Sequence, residues 1–78
     1  MNQGILFNDD VNANDNKLVF TAMVNGMMVK CVLAVPLMNS ETAIKHFQDH
    51  QFDYEMQAEL LIEDEMYELD GSILLTLL

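Results

Sequence analysis

Two β-rich runs, about residues 17–25 and 27–35, meet at Asn25-Gly26, and this dipeptide constrains the fold more than any other feature of the chain. Asn-Gly readily adopts the paired left-handed conformation of a two-residue type I′ turn, whose twist matches that of the strands it joins. A two-residue turn also fixes the register. With Val24 opposite Met27, the ladder sets Ala22 against Val29, Phe20 against Cys31 and Leu18 against Leu33, so one face of the hairpin is wholly apolar. The other face is mixed, with Met23 opposite Met28, Thr21 opposite Lys30 and Val19 opposite Val32. A two-stranded hairpin is marginal in water, so its apolar face requires a second layer packed upon it.

The flanking segments supply that layer. Ile5-Leu6-Phe7 predicts a short strand over about 4–7, and the Asn- and Asp-rich residues 8–16 predict a loop. Pro36 has no N–H for a ladder and closes the second run, and Asn39-Ser40 then offers an N-cap. Ala43, Ile44 and Phe47 follow helical spacing, which predicts a first helix over about 41–51. Phe52 breaks that pattern and is expected to pack back as a staple, with Asp53 capping a second helix over about 54–66. Its buried stripe is Tyr54, Ala58, Leu61 and Ile62. After the Asp70-Gly71 turn, residues 72–77 are apolar enough to return to the sheet as a strand. The order is β-β-β-α-α-β: one α+β domain over residues 1–78, a small antiparallel sheet with two helices packed on one face.

Composition limits what such a domain can do. Seventy-eight residues leave room for one small core, which buries only about 60% of the surface of the unfolded chain. One cysteine, Cys31, excludes an internal disulfide, a CxxC motif and a zinc knuckle. Thirteen Asp and Glu against three Lys and no Arg give a formal charge of −10, which repels nucleic-acid phosphates. The N-terminal residues lack the basic region and long apolar stretch of a signal peptide, so a cytoplasmic protein is expected, with no membrane association. Homo-oligomerisation is then the remaining simple way to enlarge the core.

The segments Met1-Asn2-Gln3-Gly4-Ile5-Leu6-Phe7, Phe20-Thr21-Ala22, Asn25-Gly26-Met27, Val29-Lys30-Cys31 and Phe52-Asp53-Tyr54-Glu55-Met56-Gln57-Ala58-Glu59-Leu60-Leu61-Ile62-Glu63 carry a wider likeness. In their order and spacing the chain resembles the small bacterial proteins grouped as domain of unknown function 1488. The resemblance spans nearly the whole chain and rests on core positions, with no catalytic motif among them. It implies a compact α+β domain of a few antiparallel strands with helices on one face, and it implies no activity.

Few residues suggest chemistry. His46 and His50 lie four apart on the first helix beside Asp49 and Asp53, a spacing that lets two histidines reach one metal ion. A third ligand and outer support are lacking, so the favoured reading is two partly exposed histidines near a helix C-terminus, where the dipole favours their protonated form. Cys31 faces inward opposite Phe20, where an apolar site suppresses the thiolate that a nucleophile needs. No nucleophile elbow, phosphate loop or HExxH motif is present, and neither enzymatic activity nor a cofactor is expected.

Surfaces are the better candidates. Glu55, Glu59 and Glu63 form an i, i+4 row without a facing lysine, and Asp64 adds charge where the helix dipole disfavours it. The row reads either as a solvated face or as a contact for a basic partner, including an inhibitor that mimics nucleic acid. Val19, Met23, Met28 and Val32 form the second candidate, since two helices cover only one side of the sheet. The expectation is a non-enzymatic protein–protein interaction module, either a homodimer built on that face or an accessory to a basic protein. A metal-binding or small-enzyme site around His46 and His50 is the alternative. Covering of the second face by the N-terminal loop or the C-terminal residues competes with the homodimer.

Overall fold

Asn25 and Gly26 adopt φ values of +51° and +86°, and the hairpin they close joins β2 (Lys17–Val24) to β3 (Met27–Ala34). A computed structural model describes residues 4–78. The observed β2–β3 register is the predicted one at every pair from Val24–Met27 to Leu18–Leu33. Leu18, Phe20, Ala22, Val29, Cys31 and Leu33 are all buried, as the alternation requires.

β1 is longer than expected. It runs from Ile5 to Asn14 and pairs antiparallel with β2 along its length, where a strand over 4–7 and a loop over 8–16 were predicted. The polar run is compatible with a strand because Phe7, Val11 and Ala13 point to the core while Asn12 and Asn14 point away. A second two-residue turn, Asp15-Asn16, takes φ values of +54° and +62°, a region that Asp and Asn tolerate better than most residues. Between Phe7 and Val11 the register shifts, so that Asn8, Asp9 and Asp10 together oppose Thr21. Two extra residues preserve the side-chain parity, which keeps Ile5 and Val11 on one face.

α1 (Ser40–Asp49) begins at the predicted cap, with Asn39 Oδ1 accepting the Thr42 N–H at 2.8 Å. α2 (Gln51–Glu63) follows after a single residue, His50. The expected cap at Asp53 is therefore absent, because Asp53 already lies in the first turn, and the Tyr54 N–H donates to the His50 carbonyl. Nor is Phe52 a staple: it is 71% exposed, since the one-residue link leaves it projecting from the junction. α2 ends before the predicted 66. Met66 N–H donates to the Leu61 carbonyl and Glu65 N–H to that of Ile62, the paired bonds of a Schellman stop, with Glu65 at φ +56°.

Ala43, Phe47, Tyr54, Ala58 and Ile62 pack on the hairpin's apolar face, with the Phe20 and Phe47 rings 4.8 Å apart. β4 is only Ile73–Leu74 and joins the sheet parallel to β3, giving the order β1-β2-β3-β4. The helical crossover returns the chain to the sheet in the direction of β3, so the otherwise antiparallel sheet ends on a parallel pair. The predicted strand over 72–77 stops early because Thr76 turns to α2: its N–H and carbonyl both bond to the Gln57 side-chain amide.

Candidate functional site

The sheet face opposite the helices is the best-defined candidate. Leu6, Met23 and Met28 form one cross-strand row, and Asn12, Val19, Val32 and Leu74 form a second. Thr21 and Lys30 lie between them. Leu6, Met28 and Leu74 are exposed, Met28 by 62%, while Val19, Met23 and Val32 are half-buried by their neighbours in the sheet. All four residues predicted for this face are thus together on it. The helices lie on the other side: residues 8–14 belong to β1, residues 76–78 turn toward the helices, where the Leu78 N–H donates to Tyr54 Oη at 2.9 Å, and residues 67–72 run along the β3–β4 rim, lining hollows with Met28, Lys30 and Val32 while leaving Met28 and Leu74 exposed. Of the segments expected to fold over this face, residues 8–14 instead form a strand of the sheet, and residues 67–72 reach its β3–β4 rim.

The β1 bulge anchors the centre of the face. Thr21 N–H donates to Asp10 Oδ1 at 3.2 Å, and Thr21 Oγ1 donates to the same carboxylate, 2.7 Å from Oδ2. Asn8 Nδ2 in turn donates to Thr21 Oγ1 at 2.8 Å. The carboxylate takes the place of the strand carbonyl that the bulge has moved away, and Thr21 is buried as a result. Sequence reasoning missed this assembly, because the Asn-Asp composition concealed the alternation that resumes at Val11 and Ala13.

Charge is distributed unevenly around the molecule. Eight of the thirteen acidic residues lie between positions 40 and 65, against one cation there, Lys45. The ladder places the other two lysines, Lys17 and Lys30, on the open sheet face by parity, with Asp10 bonded to Thr21, the cross-strand partner of Lys30. At the β4 rim Asp70 Oδ1 accepts from the backbone N–H and the Oγ hydroxyl of Ser72, bonds that hold its carboxyl below the usual range.

The remaining candidates lie in the helical layer. The His46 and His50 rings are adjacent, 4.7 Å apart, but His46 Nε2 is 2.7 Å from the fully buried Tyr54 Oη. That hydroxyl also accepts the Leu78 N–H, so His46 Nε2 is engaged by a group that ties α1 and α2 to the C-terminal residues. Asp49 pairs with Lys45 at 3.8 Å, and Asp53 is exposed. Among the described residues no three His, Cys, Asp or Glu side chains meet as metal ligands would. Burial, with added repulsion from Asp10 and Glu55, pushes the Cys31 thiol up to about 12. Such a thiol is protonated and inert at neutral pH. Glu55 and Glu59 are half-buried along one side of α2, while Glu63 and Asp64 are exposed at its end.

No helix among the described residues is long and apolar enough to cross a membrane. Residues 5–75 match the family model described as protein of unknown function, DUF1488, and the chain belongs to that family. It is similar to a solved crystal structure of a DUF1488 protein of unknown function from Shewanella loihica PV-4, with 32% identity and a TM-score of 0.86. The match covers 96% of this chain and 94% of that one. A comparison with curated proteins found no match.

Proposed function

We propose that this DUF1488 protein is a non-enzymatic protein–protein contact module, and that its principal contact is a second copy of itself seated on the open sheet face. One observation carries the reading: Leu6, Met23, Met28, Val19, Val32 and Leu74 leave apolar area on the face that both helices leave open, with Leu6, Met28 and Leu74 each more than half exposed. Contiguous apolar patches of this kind mark contact sites. The Cα extents of 32 × 25 × 19 Å give the broad side roughly the area that a standard interface buries on each partner, about 800 Å².

Electrostatics favours a second copy there despite the net charge. Face-to-face packing sets two sheets about 10 Å apart and sends the acidic helical layers outward, roughly 30 Å from one another and beyond the Debye length. Lys30 lies near Asp70 without a close ion pair between them, and Asp10 is bonded to Thr21, the cross-strand partner of Lys30, so a two-fold arrangement brings lysines and carboxylates of both copies to one interface. The metal or small-enzyme reading around His46 and His50 has weaker support, because His46 Nε2 is already engaged by Tyr54.

Light scattering across a dilution series up to about 1 mM tests the proposal, since even a weak contact assembles there. The expected parent mass is twice 8.9 kDa, reduced to the single-chain value by Met28→Lys on the sheet face and unchanged by Met56→Lys on α2. A monomeric parent, or a dimer that Met28→Lys leaves intact, would sink the idea.

A further inference from the structure

α2 carries two apolar stripes. Tyr54, Ala58 and Ile62 face the core, while Phe52, Met56 and Leu60 follow the same i, i+4 spacing on the opposite side and are 71%, 52% and 60% exposed. Three consecutive large apolar side chains along an exposed helix cannot be explained by the fold they belong to, since the core is complete without them.

Their surroundings select the occupant. At 100° per residue the row Glu55, Glu59 and Glu63 runs along one flank of the stripe, and Asp53 lies on the other. No basic residue stands in the last turn of α2. At the Phe52 end, the junction of α1 and α2 opens a hollow of about 370 Å³ with Asp49 and Asp53 in its lining. A second copy docked on this stripe would bring two glutamate rows together, and an anionic membrane would be repelled by the same carboxylates. A helix with the complementary pattern meets neither obstacle.

We infer that the Phe52–Met56–Leu60 stripe is a docking site for a basic amphipathic helix of another protein. Its apolar residues pack along the stripe, and its lysines or arginines meet Glu55, Glu59 and Glu63 on one side and the Asp49–Asp53 hollow at the end. From Phe52 to Leu60 the site is about 12 Å long, so it engages two to three turns of the partner. This site is on the helical layer, away from the sheet face, and stands whether or not that face dimerises.

The probe is a fluorescent synthetic Leu/Lys peptide of about 14 residues, patterned as an amphipathic helix, titrated with the protein and followed by anisotropy. A control peptide has the same composition in alternating order, so it carries equal charge without a helical apolar face. The patterned peptide is expected to bind the parent at least about tenfold more tightly than the control. The Met56→Ala, Leu60→Ala double variant, which keeps the charge and changes only exposed side chains, is expected to lose about tenfold for the patterned peptide alone. Equal binding of the two peptides, no binding of the patterned one, or undiminished binding by a folded double variant would each overturn the inference. Circular dichroism verifies that the variant keeps its fold.

Discussion

Replacing Asp10 with alanine removes the acceptor of two hydrogen bonds from Thr21, and the bulge leaves no β1 carbonyl in position to replace it. Hydrogen bonds to a carboxylate contribute about 1.5–3 kcal/mol each when well shielded. Asp10 itself is exposed, so water can reach part of the vacated space, and each bond is taken below that range. Thr21 is buried, however, and its N–H and Oγ1 lose their acceptor together. The net cost is therefore about 2 kcal/mol, which lowers Tm by roughly 8–16 °C for a domain of this size.

Urea unfolding of Asp10→Ala, Asp10→Asn, Thr21→Val and the Asp10→Ala, Thr21→Val pair measures this directly. Asp10→Asn keeps one side-chain oxygen and should lose about half as much as alanine. The double-mutant cycle should show a coupling near 1 kcal/mol between positions 10 and 21, because the hydroxyl bond is counted in both single variants. A loss below about 0.5 kcal/mol for Asp10→Ala, the range of an ordinary surface substitution, would refute the view that this carboxylate holds the bulge.

Three further changes test other elements. Glu65→Gly relieves a left-handed residue at φ +56° after α2 and removes a negative charge from the helix C-terminus, so it should raise stability by about 1 kcal/mol in urea unfolding. Cys31 has its folded thiol pKa raised from an ordinary 9.0 to about 12, so the unfolded chain releases its proton first as pH rises. Stability should then fall by up to about 1.4 kcal/mol per pH unit between about 9 and 12, and Cys31→Ala should remove that slope from unfolding curves. Glu59→Lys converts two like-charged i, i+4 neighbours, Glu55 and Glu63, into attractive pairs and should stabilise the protein by about 1 kcal/mol at low salt. The gain should shrink near 1 M salt, where the Debye length is about 3 Å.

The hairpin was legible because Asn25-Gly26 fixes register locally, and every buried residue of β2 and β3 except Thr21 follows from it. Thr21 is buried by a distant bulge, which no pattern within its own strand announces. The second half of β1 was concealed by composition, although two signals stood in the sequence. Val11 and Ala13 keep the parity of Ile5 and Phe7, and Asp15-Asn16 is a second pair suited to positive φ. In α2 the difficulty was different. Its two apolar stripes have equal period, so spacing alone could not say that Phe52 belongs to the outward one with Met56 and Leu60.

That double stripe and the bare sheet face have a common geometric origin. Helices of 10 and 13 residues are about 15 and 20 Å long and about 10 Å wide, enough to cover one side of a four-stranded sheet roughly 15–20 Å across. The described remainder of the chain is committed to β1, to the turns and to the short return through β4, and of it only residues 67–72 reach the rim of the other side. Apolar residues on both sides of the sheet and on both sides of α2 therefore exceed what this core can bury. The excess is divided by charge. On the sheet face it accompanies two of the three lysines, which suits a second copy; on α2 it is bordered by carboxylates, which excludes one and admits a basic helix. The two surfaces lie on opposite layers, so a dimer joined through its sheets still presents two α2 sites outward, and one peptide should bind per chain with equal affinity in the dimer and in the monomeric Met28→Lys variant.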